Sequence, residues 1–180
     1  AEKLTGYPFE PAKHMTDELY ERVTGWLSEN VTHILPEDED GYTLDNILTV
    51  ARQLVARRGV RILVLDPLNR IEQKLEQGQT ELQYLSSLLN RLVRFAQQHR
   101  VLVILVAHPR KVNRNEHDGR RRRVEMNDIN GSADFGNKAD YCFVVDRNDE
   151  VRLTTVYIDK VRFKHLGNRG EVRFHYDVLT

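Results

Sequence analysis

The 180 residues set 27 Lys and Arg against 27 Asp and Glu, which excludes a bulk polycation and confines any nucleic-acid binding to a local patch. Hydrophobic residues at 40% suffice for one core and exclude global disorder, while the single cysteine, Cys142, excludes an intrachain disulfide framework and fits a reducing compartment. No apolar run approaches the roughly 18 residues of a membrane span and no signal-peptide core opens the chain, so a cytoplasmic protein of one domain is expected.

In chain order, Gly6, Pro8 and Pro11 mark an opening loop. Thr16-Asp17-Glu18 predicts a helix start, with Leu19, Val23, Trp26 and Leu27 on one face. Val31 to Leu35 is a short β-branched run stopped by Pro36, and Glu37–Asp40 reads as an acidic loop. From Thr43, the positions Leu44, Ile47, Leu48, Ala51 and Val55 recur at helical spacing. Arg57, Arg58 and Gly59 then supply a basic last turn and the glycine that ends a helix. Val60 to Leu65 is almost continuously apolar, the signature of a parallel-sheet strand buried on both faces. A helix follows from Thr80 to His99 with Leu82, Leu85, Leu89, Leu92 and Ala96 inward, and Val101 to Ala107 is a second strand of the same kind. Tyr141 to Val145 reads as a third core strand, and 154–161 with 171–176 as a terminal antiparallel pair around Gly167 and Gly170. Trp26, Phe95, Cys142 and Phe143 are assigned to packing. Buried strands alternating with helices define an α/β fold.

Four features carry chemistry. Asp66 directly follows the first apolar strand, where open α/β sheets place their ligand sites. It fits a carboxylate that holds Mg²⁺ through waters, and it equally fits a turn Asp before Pro67. His108 ends the next strand, where an imidazole either meets a phosphate oxygen or is satisfied by local backbone. Between 110 and 123 lie seven basic residues, Arg110, Lys111, Arg114, Arg120, Arg121, Arg122 and Arg123, with no apolar face. Such a run suits phosphate contacts, or a plainly solvated face. Lys160 and Arg162 alternate on one strand face with Ile158, as an exposed face or as a cationic pair offered to a neighbouring subunit.

Taken together, ordered stretches resemble the RecA-like motor domain of the DnaB-like hexameric replicative helicases, nearest the Twinkle and phage primase-helicase branch. RILVLDPLNRIE resembles that group's Walker-B motif, and VLVILVAHPRK its sensor motif, with the branch's histidine at His108. NDINGSADFGNKADYCFVVDRN is similar to the glycine-serine segment, and DKVRFKHLGNRGEVRFHYD to the last hairpin. The resemblance implies a catalytic set of Asp66, His108, Lys160 and Arg162, with Asp66, Asn137, Lys160 and Arg162 on the nucleotide. It implies that Arg110 to Asn130 is a central-channel DNA loop, with Asn130 and Gly131 joining the seven basic residues on DNA. The implied cofactors are ATP and Mg²⁺. The implied partners are single-stranded DNA, identical subunits in a ring of six and a fused or associated primase, in a bacterial cell, with the gene carried by the host, a phage or a mobile element.

One element of the family pattern is missing. No G-x-x-x-x-G-K-[ST] occurs in the chain, so the phosphate cradle and the catalytic glutamate are expected upstream of Ala1. The expected fold is therefore a RecA-like P-loop NTPase core without its first strand and P-loop, mostly parallel with a C-terminal antiparallel hairpin. Residues 1–180 form one partial motor domain: an N-terminal helix and strand segment (1–42), the Walker-B and sensor strands (43–107), the DNA loop (108–138) and the C-terminal strands (139–180). The chain alone is expected to be inactive as an ATPase. Other classes compatible with these residues are a non-catalytic DNA-binding or ring-assembly module on a degenerate scaffold, and a RecA/KaiC-type ATPase.

Overall fold

A computed structural model describes residues 15–35, 42–72, 75–109, 123–129, 131–148 and 151–175. The expected opening loop around Gly6, Pro8 and Pro11 and the acidic loop Glu37–Asp40 lie outside the described residues. The chain divides into two compact units, Ala1–Leu35 with His175–Thr180, and Pro36–Phe174.

The first unit holds helix α1 (Asp17–Asn30), started by the Thr16 hydroxyl, which accepts from the Leu19 amide at 3.2 Å. Asp17 and Glu18 sit in its first turn, where carboxylates favour the positive end of the helix dipole. Val23 is buried, but Trp26 is 51% exposed and is not the packing residue its spacing predicts. Helical periodicity says which residues share a face and nothing about what covers that face. Nor does the β-branched run form a strand: Val31 is extended only as the cap of α1, and residues 32–35 carry no ladder.

The second unit begins with helix α2 (Leu44–Arg58). Thr43 caps it, accepting from the Asn46 amide at 3.3 Å, and Gly59 ends it with φ 67°, a left-handed conformation that costs glycine nothing. Leu44, Ile47, Leu48 and Ala51 form its buried stripe. Helix α3 (Glu81–His99) opens with a reciprocal capping box between Thr80 and Gln83. Its buried face is Leu88, Leu89, Leu92 and Phe95, while Leu82 in the first turn is exposed, contrary to expectation. Arg91 on α3 forks onto the carboxylate of Asp45 on α2.

Strands β1 (Ile62–Leu65) and β2 (Leu102–Leu105) pair in parallel, Ile62 opposite Leu102 through Leu65 opposite Leu105. Leu63 and Leu65 are buried, but Ile62, Val64, Leu102 and Ile104 are exposed. Burial on both faces is thus not what the described residues show: one face is covered and the other is open.

Helix α4 (Ser132–Lys138) leads into a three-stranded sheet in the order β3 (Tyr141–Asn148), β4 (Leu153–Val161), β5 (Gly170–His175), with β3 and β4 antiparallel. β3 therefore joins the hairpin rather than extending the parallel pair. Its Val144 is buried, whereas Tyr141, Phe143 and Val145 are exposed, so Phe143 is not a core residue either. The fold is mixed α/β, with a parallel and an antiparallel part. No helix among the described residues is long and apolar enough to cross a membrane.

Candidate functional site

Two backbone bonds level the carboxyl ends of β1 and β2. The Val106 amide donates to the Leu65 carbonyl at 2.9 Å, and the Leu68 amide returns to the Val106 carbonyl at 2.8 Å. Asp66, the first residue past β1, and His108, two residues past Val106, consequently leave the sheet at the same end, and both are exposed. The peptide from Asp66 to Pro67 is cis. Among the described residues no group of three or more His, Cys, Asp or Glu could cage a metal. An exposed carboxylate such as Asp66 suits an ion that keeps most of its water, which is how Mg²⁺ binds beside substrate phosphates.

A second cluster lies at the C-terminal end of the basic stretch. Arg110, Lys111, Arg114, Arg120, Arg121, Arg122 and Asn130 lie outside the described residues. Arg123 is described, and its guanidinium is engaged: it pairs with Asp159 and lies 4.0 Å from the Tyr157 ring centroid. The other Asp159 oxygen accepts from the Met126 amide at 3.2 Å. The ladder explains why Asp159 is available. Cys142 faces Lys160 and Phe143 faces Ile158, so the register shifts by one residue and Asp159 is the extra one on β4. Strict alternation across Ile158, Lys160 and Arg162 is lost at that point.

Lys160 and Arg162 end up in different surroundings. The Lys160 ammonium is part-buried and donates to the carbonyls of Ala139, at 2.6 Å, and Gly136. These are the carbonyls at the C-terminus of α4, the negative end of that helix. Arg162 lies past the end of β4 and is exposed, pairing with Asp140 at 3.1 Å while its amide donates to the Asp140 carbonyl at 2.8 Å. Asn137 is exposed on α4. Gly131 caps α4 with φ 74°, and a Cβ there would overlap the Leu85 side chain of α3.

The profile of the DnaB-like helicase C-terminal domain family matches residues 12–178. The chain belongs to that family. It is 36% identical over 160 residues to the Twinkle homolog protein, chloroplastic/mitochondrial, of Arabidopsis thaliana, a match covering 86% of this chain and 22% of that protein. The solved structure of a DnaB-like replicative helicase, described with its interactions with primase, superposes with a TM-score of 0.62 at 20% identity. That likeness, one of fold, covers 76% of this chain and 34% of the other. The chain thus spans well under half of the relatives it matches.

In this DnaB-like domain several polar residues outside the expected set turn out to hold the expected ones in place. Lys138 on α4 donates to the Ser86 carbonyl at 3.0 Å and hydroxyl at 2.5 Å, and pairs with Asp134 at 2.9 Å, tying α4 to α3. The i, i+4 spacing of Asp134 and Lys138 is a visible signal for half of that cluster. Asp159 and Asp140 give none, because their partners are remote in sequence or ordinary-looking. Cys142, opposite Lys160, has its thiol pushed up by burial and by the nearby Asp159 carboxylate, with Lys160 opposing.

Proposed function

We propose that the chain is the C-terminal part of the motor of an ATP-dependent replicative DNA helicase, which couples ATP hydrolysis at subunit interfaces to movement along single-stranded DNA and unwinding of the duplex. The observation that carries this is the emergence of Asp66 and His108 from the same end of two adjacent parallel strands. The full length 1–180 is taken as one partial motor domain. Asp66 would hold Mg²⁺ through its waters, and the ion supplies charge neutralisation at the phosphates when bound. His108 donates to a phosphate oxygen and registers its presence. Asn137, exposed on α4, would meet the nucleotide. Arg162 is exposed, its guanidinium pairs with the exposed Asp140 carboxylate and lies over the Phe163 ring, and it would exchange Asp140 for a neighbouring subunit's triphosphate, with Lys160 two residues before it.

The single-stranded DNA partner is read by Arg110, Lys111, Arg114, Arg120, Arg121, Arg122, Arg123, Asn130 and Gly131, through phosphates rather than bases. Six identical subunits form the ring, a primase is fused or associated, and the protein acts in the bacterial cytoplasm, encoded by the host, a phage or a mobile element. The single cysteine supports a reducing compartment.

The test is hydrolysis of ATP by the full-length protein with and without single-stranded DNA. His108→Ala should leave nucleotide affinity near wild type and remove the DNA response, since a contact made mainly during turnover changes rate more than ground-state binding. If the full-length protein lacks a P-loop lysine and hydrolyses no ATP, the domain is a binding or assembly module and the motor reading is wrong.

A further inference from the structure

We propose that Asp159 is a positioning residue that fastens the C-terminal end of the basic stretch to the strand that bears Lys160 and leads into Arg162, so that engagement of the stretch by DNA is felt at those two cations. The inference rests on the motor reading above and adds a residue and a route to it.

Both oxygens of Asp159 are committed to the same short segment. One pairs with the guanidinium of Arg123 and the other accepts the Met126 amide at 3.2 Å, so side chain and backbone of residues 123–126 are gripped from one carboxylate. The Asp159 side chain is only 12% exposed. A carboxylate that far from water needs its partners, which distinguishes this pair from an ordinary surface bridge. The Tyr157 ring under the guanidinium supplies a third fixed point two residues along the same strand. Asp159 is also the extra residue in the β3–β4 register, and such bulges re-aim side chains beside sites.

The next residue is Lys160, whose ammonium closes the C-terminus of α4, and Arg162 follows just past the end of the strand. Any shift of residues 123–126 is therefore passed to Asp159 by charge-assisted bonds and to Lys160 by one peptide link. A phosphate competes well for Arg123 because two of its oxygens match the guanidinium fork as a carboxylate does. Asp159 itself touches no phosphate in this scheme.

The experiment uses the full-length protein with a thymidine oligonucleotide, and reads the ratio of ATP hydrolysis with and without it for Asp159→Asn, Arg123→Ala and the double variant. Each single change should lower the ratio about fivefold or more, the lower end of usual coupling between sites. The double should be no worse than the poorer single, because one interaction is removed once. Oligonucleotide affinity of Asp159→Asn should be at or above wild type, since the carboxylate that competes with phosphate for Arg123 is gone. A wild-type ratio in both single variants, or a double whose loss is the product of the singles, overturns the proposal. A wild-type protein that hydrolyses ATP indifferently to DNA sinks the motor reading itself, a separate result. Should the variants fold poorly, hydrogen exchange on the wild-type protein decides: the oligonucleotide should alter residues 123–129 and 157–162 together. If it alters only the first segment, Asp159 transmits nothing.

Discussion

The Lys160 ammonium lies 2.6 Å from the Ala139 carbonyl and also reaches that of Gly136, so a cation from β4 closes the C-terminus of α4. The glycine-serine segment and the last hairpin are thereby joined by one side chain. Replacing it with Met removes charged hydrogen bonds from a part-buried site. Lys160→Met should cost about 1.5–3 kcal/mol, the range for hydrogen bonds to charged groups, measured by denaturant unfolding. A loss under about 0.5 kcal/mol would mean the ammonium is not holding α4.

Arg162 should behave in the opposite way. Its pair with Asp140 is about half exposed on both sides, at 48% and 56%, so breaking it should cost at most about 1 kcal/mol. Ring-dependent hydrolysis should nevertheless fall by roughly 10³–10⁵ in Arg162→Ala if it acts as a finger in trans. Subunits lacking only Arg162 mixed with subunits lacking only Asp66 should partly recover activity, since one interface then keeps both halves of a site. Mixed rings that recover nothing remove the finger assignment.

The glycines give a paired comparison. Gly131→Ala combines φ 74° with a Cβ that overlaps Leu85, so it should destabilise by about 1–2 kcal/mol or more. Gly25 lies inside α1 with nothing within 4 Å of where a Cβ would stand, so Gly25→Ala should stabilise by roughly 0.5–1 kcal/mol. Thermal melts of the two variants check both signs.

Within the basic run, Arg120–Arg122 and Arg123 should separate. Changing the first three to Ser should weaken single-stranded DNA binding regardless of sequence and flatten its salt dependence by about 0.7 per lost phosphate contact. Arg123→Ser should change the slope less, because an Arg123 that leaves Asp159 for a phosphate bares one carboxylate for the phosphate it neutralises. Titrations at several salt concentrations read the slopes directly.

The thiol of Cys142 is raised by burial first and by Asp159 second, so it stays protonated to a higher pH than a free cysteine. The folded chain then holds a proton that the unfolded chain gives up. The resulting stability is complete below the unfolded pKa and is lost as pH rises through the folded one. Alkylation of Cys142, followed on its peptide by mass spectrometry, should be slow at neutral pH and shift to lower pH in Asp159→Asn. A Cys142 that reacts as fast as a free thiol at neutral pH contradicts the burial.

What could be read from residues alone was whatever is decided within a few positions of the chain. Thr16, Thr43 and Thr80 start helices because a hydroxyl reaches an amide three residues on, and Gly59 ends one because its φ is left-handed. The motifs around Asp66 and His108 were legible for the same reason, since a charged or polar residue ending an apolar strand is a local pattern. Coverage was not legible. Ile62 and Val64 are as apolar as Leu63 and Leu65, yet only the second pair is buried, because burial depends on which neighbour arrives at each face. The pairing of Arg123 with Asp159 spans 36 positions and depends on a one-residue register shift that no alternation pattern announces. Lys160 and Arg162 look equivalent at a spacing of two, and only the approach of α4 makes one a part-buried helix cap and leaves the other exposed. Local hydrogen-bond reach sets helix ends; long-range contact decides which charges are spent on the fold and which remain for a partner.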